Sequence, residues 1–225
     1  MSCVDSFNDK TNNSQLQCMY RLLDAQVKRS PDAIAITAPG RQPLSYGRLQ
    51  MHIVEVVGTL NSMGVGRNDR VAIVLPDGPE MAVVFLAVAA GATSAPLNPN
   101  YRASEIDFYL SDLKVRTLIV QSGVESPARA VAETLGISII ELTPVLQAEA
   151  GIFTLKGGSP FQAVTTGFAQ FDDMALVLHT SGTTSRPKIV PLTQTNICTS
   201  AQNIKNTLKL ANSDRPTFSI LLSER

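Results

Sequence analysis

The sequence predicts an α/β fold with a largely parallel sheet. Short apolar segments alternate along the chain with segments of about ten residues that have helical periodicity. The apolar segments lack a polar residue at every second position, which indicates strands buried on both faces. With 225 residues, of which 44% are hydrophobic and 17% charged, the chain can form one or two domains with a sizeable core. Strands linked through helices form βαβ units with helices on both faces of the sheet.

The first elements precede residue 65. Residues 1–14 are polar and predict a flexible tail. Apolar residues within 16–27 recur at helical spacing, and Pro31 marks the end of that helix. A short strand is predicted at 33–37. Ser45 has the side chain of a typical N-cap for the next helix, which runs to Met63 and is stopped by the glycine that follows.

Between residues 71 and 142 the strands and helices alternate strictly. Pro79 suits the first position of a helix, and Ser104 has the hydroxyl of an N-cap. The predicted strands are residues 71–75, 94–97, 117–120 and 137–142, and the predicted helices are residues 79–90, 104–113 and 126–135. Together with the elements before them, residues 15–142 are predicted to form a first α/β lobe.

Residues 143–172 break this pattern. They contain four glycines and show weak periodicity, which predicts a linker or an irregular excursion between two lobes. Residues 173–225 are predicted to begin a second lobe. Its elements are a strand at 174–180, a loop, a strand at 189–192 and a helix capped by Thr193 or Thr195.

Composition excludes several classes of protein. The formal net charge is zero and no basic run occurs, so nucleic-acid binding is not supported. The three cysteines are far apart and fit neither a metal site nor a disulfide framework, which favours a reducing compartment. The longest apolar stretch, Met81 to Ala90, is too short to span a membrane, and the polar N-terminus has no apolar signal core. We therefore expect a cytoplasmic protein without a membrane span.

One short segment concentrates the polar chemistry of the chain. The apolar run 174–178 predicts a buried strand, and it leads directly into a stretch rich in Ser, Thr and Gly. Hydroxyls and free backbone N–H groups of such a loop can bind phosphate oxygens, and a lysine adds positive charge. The candidate phosphate-binding residues are Thr180, Ser181, Gly182, Thr183, Thr184 and Lys188.

The order of these residues is more specific than their composition. Composition alone fits a Ser/Thr/Gly-rich surface turn about equally well. The segment is not a Walker A loop, because Lys188 is neither preceded by glycine nor followed by Ser or Thr. The prediction of a phosphate loop therefore depends on the ordered run of residues.

That order resembles the phosphate-binding signature of the adenylate-forming superfamily, which includes acyl-CoA synthetases, luciferases and the adenylation domains of peptide synthetases. Positions 180–184 and 187–188 match the signature, whereas Ser185 and Ile189 stand where glycine is usual. A β-branched residue at 189 would be strained if the backbone there required a positive φ. The Ser-Arg-Pro-Lys variant resembles the branch that contains oxalate–CoA ligases and related ligases of small and fatty acids.

The resemblance extends from about residue 16 to residue 215, through blocks at 32–35, 44–46, 70–77 and 95–99. It implies the large N-terminal domain of these enzymes, with αβαβα layers, a mostly parallel sheet and part of a distorted β-barrel. The family's adenine, ribose and Mg²⁺-carboxylate motifs and its C-terminal lysine are not found in this sequence. The resemblance therefore implies a truncated, N-terminal portion of such a domain that is incomplete alone.

The resemblance also implies a reaction. A carboxylate attacks the α-phosphate of ATP to give an acyl-adenylate, and CoA then displaces AMP to give a thioester. ATP, Mg²⁺ and CoA are the implied cofactors, a small carboxylic acid is the implied substrate, and a complementary C-terminal polypeptide is a conceivable partner. The candidate loop would contact the β- and γ-phosphates; no catalytic or metal-binding residue is assigned.

Two alternative interpretations stay open at this point. The chain could belong to a fatty-acyl-AMP ligase or an amino-acid adenylation domain, in which a carrier protein accepts the acyl group. It could also be a non-catalytic portion that binds nucleotide weakly or assembles with a partner. The acyl-pocket residues of the family lie mostly beyond residue 225, so the sequence does not specify the acid.

The remaining polar residues have simpler interpretations. His179 precedes the loop and could contact it or a substrate, but a strand histidine bonded to backbone explains it equally well. His52, among apolar neighbours on a helix, is expected to be structural, and Cys198 to be a small core residue. Asp172 and Asp173 are expected to be a solvated strand start and not a metal pair.

Overall fold

The computed structural model describes residues 18–180, 187–211 and 214 of the chain. Three helices begin at N-caps whose side chains accept bonds from N–H groups of the first helical turn: Ser45 and Thr193, both predicted, and Ser126, the first residue of a predicted helix. The helices are α1 (Met19–Arg29), α2 (Tyr46–Ser62), α3 (Pro79–Gly91), α4 (Ala103–Asp112), α5 (Pro127–Thr134) and α6 (Gln194–Leu208). The strands are β1 (Ile34–Ile36), β2 (Leu44–Ser45), β3 (Arg70–Val74), β4 (Thr93–Pro96), β5 (Thr117–Gln121), β6 (Ser138–Pro144), β7 (Phe153–Gly157), β8 (Met174–Thr180) and β9 (Lys188–Thr193).

Seven strands form one sheet in the order β7-β6-β5-β3-β4-β8-β9. The five inner strands run parallel, whereas β7 and β9 pair antiparallel at the two edges. A separate antiparallel pair is formed by β1 and β2. The α/β fold with a largely parallel sheet is therefore confirmed. Neither sheet closes into a barrel within the part of the chain that the structure describes.

Alternate residues of the central strands enter two apolar clusters on opposite faces of the sheet. On β3, Val71 and Ile73 pack with α2 and α3, whereas Ala72 and Val74 pack with α4 and α5. Helices therefore cover both faces, as the apolar strands predicted. No helix among residues 18–180 and 187–211 is long and apolar enough to cross a membrane.

The segment 143–172 contains more regular structure than its sequence predicted. Strand β7 pairs with β6 and extends the sheet, although glycines at its end and a lysine dilute its apolar pattern. The residues after β7 are bonded to the last turn of α2 and to the turn that follows it: Gly167 N–H donates to Asn61 Oδ1 (2.7 Å) and Arg67 N–H to Thr165 O (2.9 Å). Strands from both sides of this segment share one sheet, and their assignment to separate lobes stays a prediction.

Helix α4 starts differently from the prediction. Its N-cap is Arg102 and not Ser104, because the backbone N–H of Arg102 donates to the Glu105 carboxylate at 2.8 Å. This bond satisfies a backbone donor just before the first turn, and the negative charge of Glu105 lies near the positive end of the helix dipole.

Candidate functional site

The candidate loop connects β8 to β9. These strands pair antiparallel from Met174 opposite Thr193 to Thr180 opposite Lys188. On its other side β8 runs parallel to β4. In open α/β sheets, ligands bind at the carboxyl ends of parallel strands. The end of β8 therefore places the loop at the sheet edge where a ligand is expected.

Two of the six candidate residues lie in the described part of the chain. Thr180 and Lys188 are both exposed and face each other across the hairpin. The Thr180 hydroxyl lies 3.5 Å from the backbone oxygen of Lys188, at the limit of a hydrogen bond. Ser181, Gly182, Thr183 and Thr184 lie outside the described residues. The structure therefore places Thr180 and Lys188 opposite each other where the loop joins the sheet.

Ile189 occupies an ordinary strand position. It pairs with His179 in β9 and packs against the apolar cluster on the α4 side of the sheet. Among the described residues, the non-glycine residues with positive φ are Asn68, Lys114 and Lys209. The strain that a β-branched residue would meet at positive φ therefore does not arise at position 189.

His179 lies next to the candidate loop, but its ring is turned into the protein. The side chain is only 6% exposed, and Nε2 lies 2.8 Å from Asp112 Oδ2 at the end of α4. The Tyr109 ring centroid is 4.8 Å from that of the imidazole. The ring is thus bonded to a carboxylate of a residue 67 positions earlier, and not to backbone, which was one of the two interpretations of His179.

Asp173 contradicts the expectation of a solvated strand start. Its side chain is buried and binds Arg67 Nε (2.6 Å), Asn68 Nδ2 (2.7 Å) and the backbone N–H of Gln170 (2.7 Å). Burial raises the pKa of this carboxyl, but these three donors and the Arg67 charge outweigh it and hold the pKa below its usual range. Asp173 is therefore a structural anchor at the start of β8.

His52 is structural, as predicted. It is buried on α2, and its Nε2 accepts a hydrogen bond from the backbone N–H of Phe153 at 3.4 Å. Burial lowers the pKa of His52, with nearby Glu55 opposing the shift. The histidine therefore joins α2 to β7.

Neither described cysteine is a candidate nucleophile. Cys18 and Cys198 are free and buried. Burial raises the pKa of Cys198 to about 11, with a smaller contribution from Cys18, and burial also raises the pKa of Cys18. Because the thiolate is the reactive form, these thiols are unreactive at neutral pH. Cys198 is a small core residue, as expected.

Sequence reasoning missed the partner of His179 and the network around Asp173. Both join residues that are distant in sequence, so spacing contains no signal for them. One local signal exists: Asp112 ends α4, where a negative charge opposes the helix dipole. No group of three or more His, Cys, Asp or Glu side chains that could hold a metal occurs within 18–180, 187–211 and 214.

Known proteins similar to this chain include plant CoA ligases. A probable CoA ligase of Humulus lupulus is 40% identical over 199 residues, which are 86% of this chain and 37% of that protein. An oxalate–CoA ligase of Arabidopsis thaliana is also 40% identical, over 197 residues, 86% of this chain and 38% of that protein. The chain thus spans less than two fifths of the length of these relatives.

The fold is also found in a solved enzyme structure. Apo MatB from Rhodopseudomonas palustris superposes with a TM-score of 0.68 at 23% identity, over 86% of this chain and 38% of that one. The model of the AMP-binding enzyme family matches residues 23–222, nearly the whole chain. Together with the parallel sheet and the hairpin at its carboxyl edge, these matches show that the chain belongs to the family of AMP-binding enzymes.

Proposed function

We propose that the chain supplies the phosphate-binding part of an acyl-CoA synthetase, which activates a carboxylic acid with ATP and transfers the acyl group to CoA. The observation that carries this proposal is the pair formed by Thr180 and Lys188 at the loop end of the β8–β9 hairpin. The family membership and the ordered sequence motif support it.

The thiol acceptor is proposed from the relatives. Both 40% identical proteins described above are CoA ligases, and one of them is an oxalate–CoA ligase. We therefore favour CoA over a carrier protein, and a small acid such as oxalate as the substrate. A cytoplasmic location stays a prediction.

The proposed role of the hairpin is electrostatic. The first step places additional negative charge on the phosphates, and preorganised donors and cations stabilise such charge in the transition state. Lys188 would supply a positive charge and Thr180 a hydroxyl donor from adjacent strand ends. Ser181, Gly182, Thr183 and Thr184 are proposed to complete the loop with hydroxyl and backbone N–H donors.

The described residues account for only part of what the reaction requires. Thr180 and Lys188 fit a phosphate, whereas the described residues contain no group of three or more His, Cys, Asp or Glu side chains that could hold a metal ion. We therefore assign no step to the metal. We further propose that this chain alone does not complete the reaction, because positioning of both reactants can account for about 7–11 kcal/mol of a barrier. A complementary C-terminal polypeptide would then supply the remaining groups.

The test is AMP release from ATP in the presence of Mg²⁺, CoA and a panel of carboxylic acids. The chain is assayed alone and mixed with a polypeptide that carries the remainder of a relative's domain. We expect turnover only in the mixture, with oxalate among the accepted acids, and loss of turnover in Lys188→Ala. Multiple turnovers by the chain alone would contradict its dependence on a second polypeptide. Equal turnover of the Lys188→Ala mixture would contradict the proposed role of the loop.

A further inference from the structure

We infer that Asp112 and His179 form a positioning pair that fixes the free end of the β8–β9 hairpin against helix α4. The pair thereby fixes Thr180 and Lys188, the two described residues of the candidate loop. The consequence for phosphate binding rests on the proposed function, whereas the tether itself rests on geometry alone.

The first observation is that the hairpin extends past its neighbour in the sheet. Ser94 of β4 is opposite Leu176 of β8, so Leu178 is level with Pro96, where β4 ends. The pairing of β8 with β9 continues to Thr180 opposite Lys188. Beyond Leu178 the hairpin is therefore a two-stranded ribbon, and such a ribbon is only marginally stable without further packing.

The second observation is that one side chain ties this ribbon to a helix. His179 lies directly before Thr180, and its Nε2 is 2.8 Å from Asp112 Oδ2. Because a carboxylate only accepts hydrogen bonds, Nε2 is assigned as the donor. Hydrogen bonds with an ionised partner are stronger than neutral ones. The bond therefore connects the last turn of α4 to the residue that precedes the loop.

The third observation is that the imidazole of His179 also contacts aromatic rings of α4. The ring centroids of Tyr109 and Phe108 lie 4.8 Å and 6.0 Å from that of His179. The Tyr101 ring in turn stacks on Tyr109, with ring centroids 5.0 Å apart. A side chain that is 6% exposed and enclosed in this way has little rotational freedom. The bond to Asp112 therefore has a fixed direction.

The fourth observation is that both partners occupy positions that are otherwise unfavourable. Asp112 places a carboxylate at the C-terminus of α4, where the helix dipole disfavours negative charge. His179 Nδ1 is buried and has no hydrogen-bond partner among the described residues. Residues with unfavourable local electrostatics or an unpaired buried polar atom are expected at positions where a function, and not stability, determines the residue. Positioning of the strand end is such a requirement.

The test measures amide hydrogen exchange of the nucleotide-free chain at residues 178–180 and 188–190, with Ile73 as an internal core reference. His179→Phe retains a ring of similar size without the donor, and Asp112→Ala removes the acceptor. In each variant we expect about tenfold faster exchange at the hairpin end, because one charge-assisted hydrogen bond is lost. Exchange at Ile73 should be unchanged. The double variant should match the single variants, because both remove the same bond.

Two further variants separate positioning from a general packing role. His179→Gln keeps a donor near the Nε2 position and should restore most of the protection. Asp107→Ala removes an exposed acid from the same helix and should change nothing. Unchanged exchange at the hairpin end in His179→Phe, or equal acceleration at Ile73, would overturn the inference. Absence of Mg-ATP binding by the wild-type chain would instead overturn the proposed function. The exchange measurements would still decide whether the bond between Asp112 and His179 holds the hairpin end.

Discussion

The central strands and the β8–β9 hairpin lie in one sheet but have opposite surroundings. On β5, the side chains from Leu118 to Val120 are at most 1% exposed. At the hairpin end, Thr180 and Lys188 are exposed and polar. Strand β8 contains both environments, because Val177 is 1% exposed while Thr180, three residues later, is open to solvent.

This difference shows that two kinds of interaction hold the strands in place. Apolar burial on both faces fixes the central strands, and it contributes in proportion to the area removed from water. Strand β8 has polar anchors near both of its ends, Asp173 at the start and His179 close to the loop. Polar bonds thus hold both ends of β8, where apolar burial is less complete than in the central strands.

Truncation of one isoleucine in each region should show the largest contrast. Ile119→Ala, in the fully buried centre of β5, is expected to lower the free energy of unfolding by about 2–5 kcal/mol because it leaves a cavity. Ile189→Ala on the half-buried edge strand β9 should cost about 1 kcal/mol. Urea unfolding at neutral pH measures both. Equal losses would contradict the contrast between the two regions.

Neutralisation of the anchor at the start of β8 should have an intermediate, pH-dependent effect. Asp173→Asn is expected to cost about 2 kcal/mol at pH 7, because charge-assisted bonds to Arg67 and the Gln170 N–H are weakened. The folded pKa of Asp173 is lowered, so its stabilising contribution is present above the unfolded pKa and is lost as pH falls through the folded value. The stability difference between wild type and variant should therefore shrink below about pH 4. Asp172→Asn is the control and should be nearly neutral.

Buried His52 should make a smaller contribution to the pH dependence of the free energy of unfolding, because its neutral form and not its charged form is favoured in the folded chain. Burial lowers the pKa of His52, so the unfolded chain binds a proton more readily than the folded one. The free energy of unfolding should then decrease as pH falls below about 6.5. His52→Gln keeps an acceptor for the Phe153 N–H and should remove this part of the pH dependence. Identical pH profiles for wild type and variant between pH 7.5 and 5.5 would rule this out.

The sequence was sufficient to predict most of the fold. Apolar runs and capping residues such as Ser45 and Thr193 are local signals, and the structure has strands and helices at the predicted places. Strand β7 was missed because glycines and a lysine obscure its pattern. Asp173 was misinterpreted because its burial depends on Arg67 and Asn68, more than 100 residues away.

The candidate site was predictable only in part. The ordered motif identified Thr180 and Lys188, and the strand pairing brings them together. The roles of all six candidate residues stay predictions. The link from His179 to Asp112 could not be predicted, because a hydrogen bond between residues that are distant in sequence leaves no periodic signal. Only the position of an acidic residue at the end of α4 was unusual.

The most direct test of the central claim is calorimetric titration of the chain with Mg-ATP. The wild type should bind, and Lys188→Ala should bind about tenfold more weakly, because a charged hydrogen bond to phosphate is lost. The difference should narrow at high salt, since screening weakens exposed charges. Lys205→Ala on α6 removes an exposed lysine away from the hairpin and should bind like wild type. Equal affinities for wild type and Lys188→Ala at low salt would contradict the assignment of the β8–β9 hairpin as the phosphate-binding element.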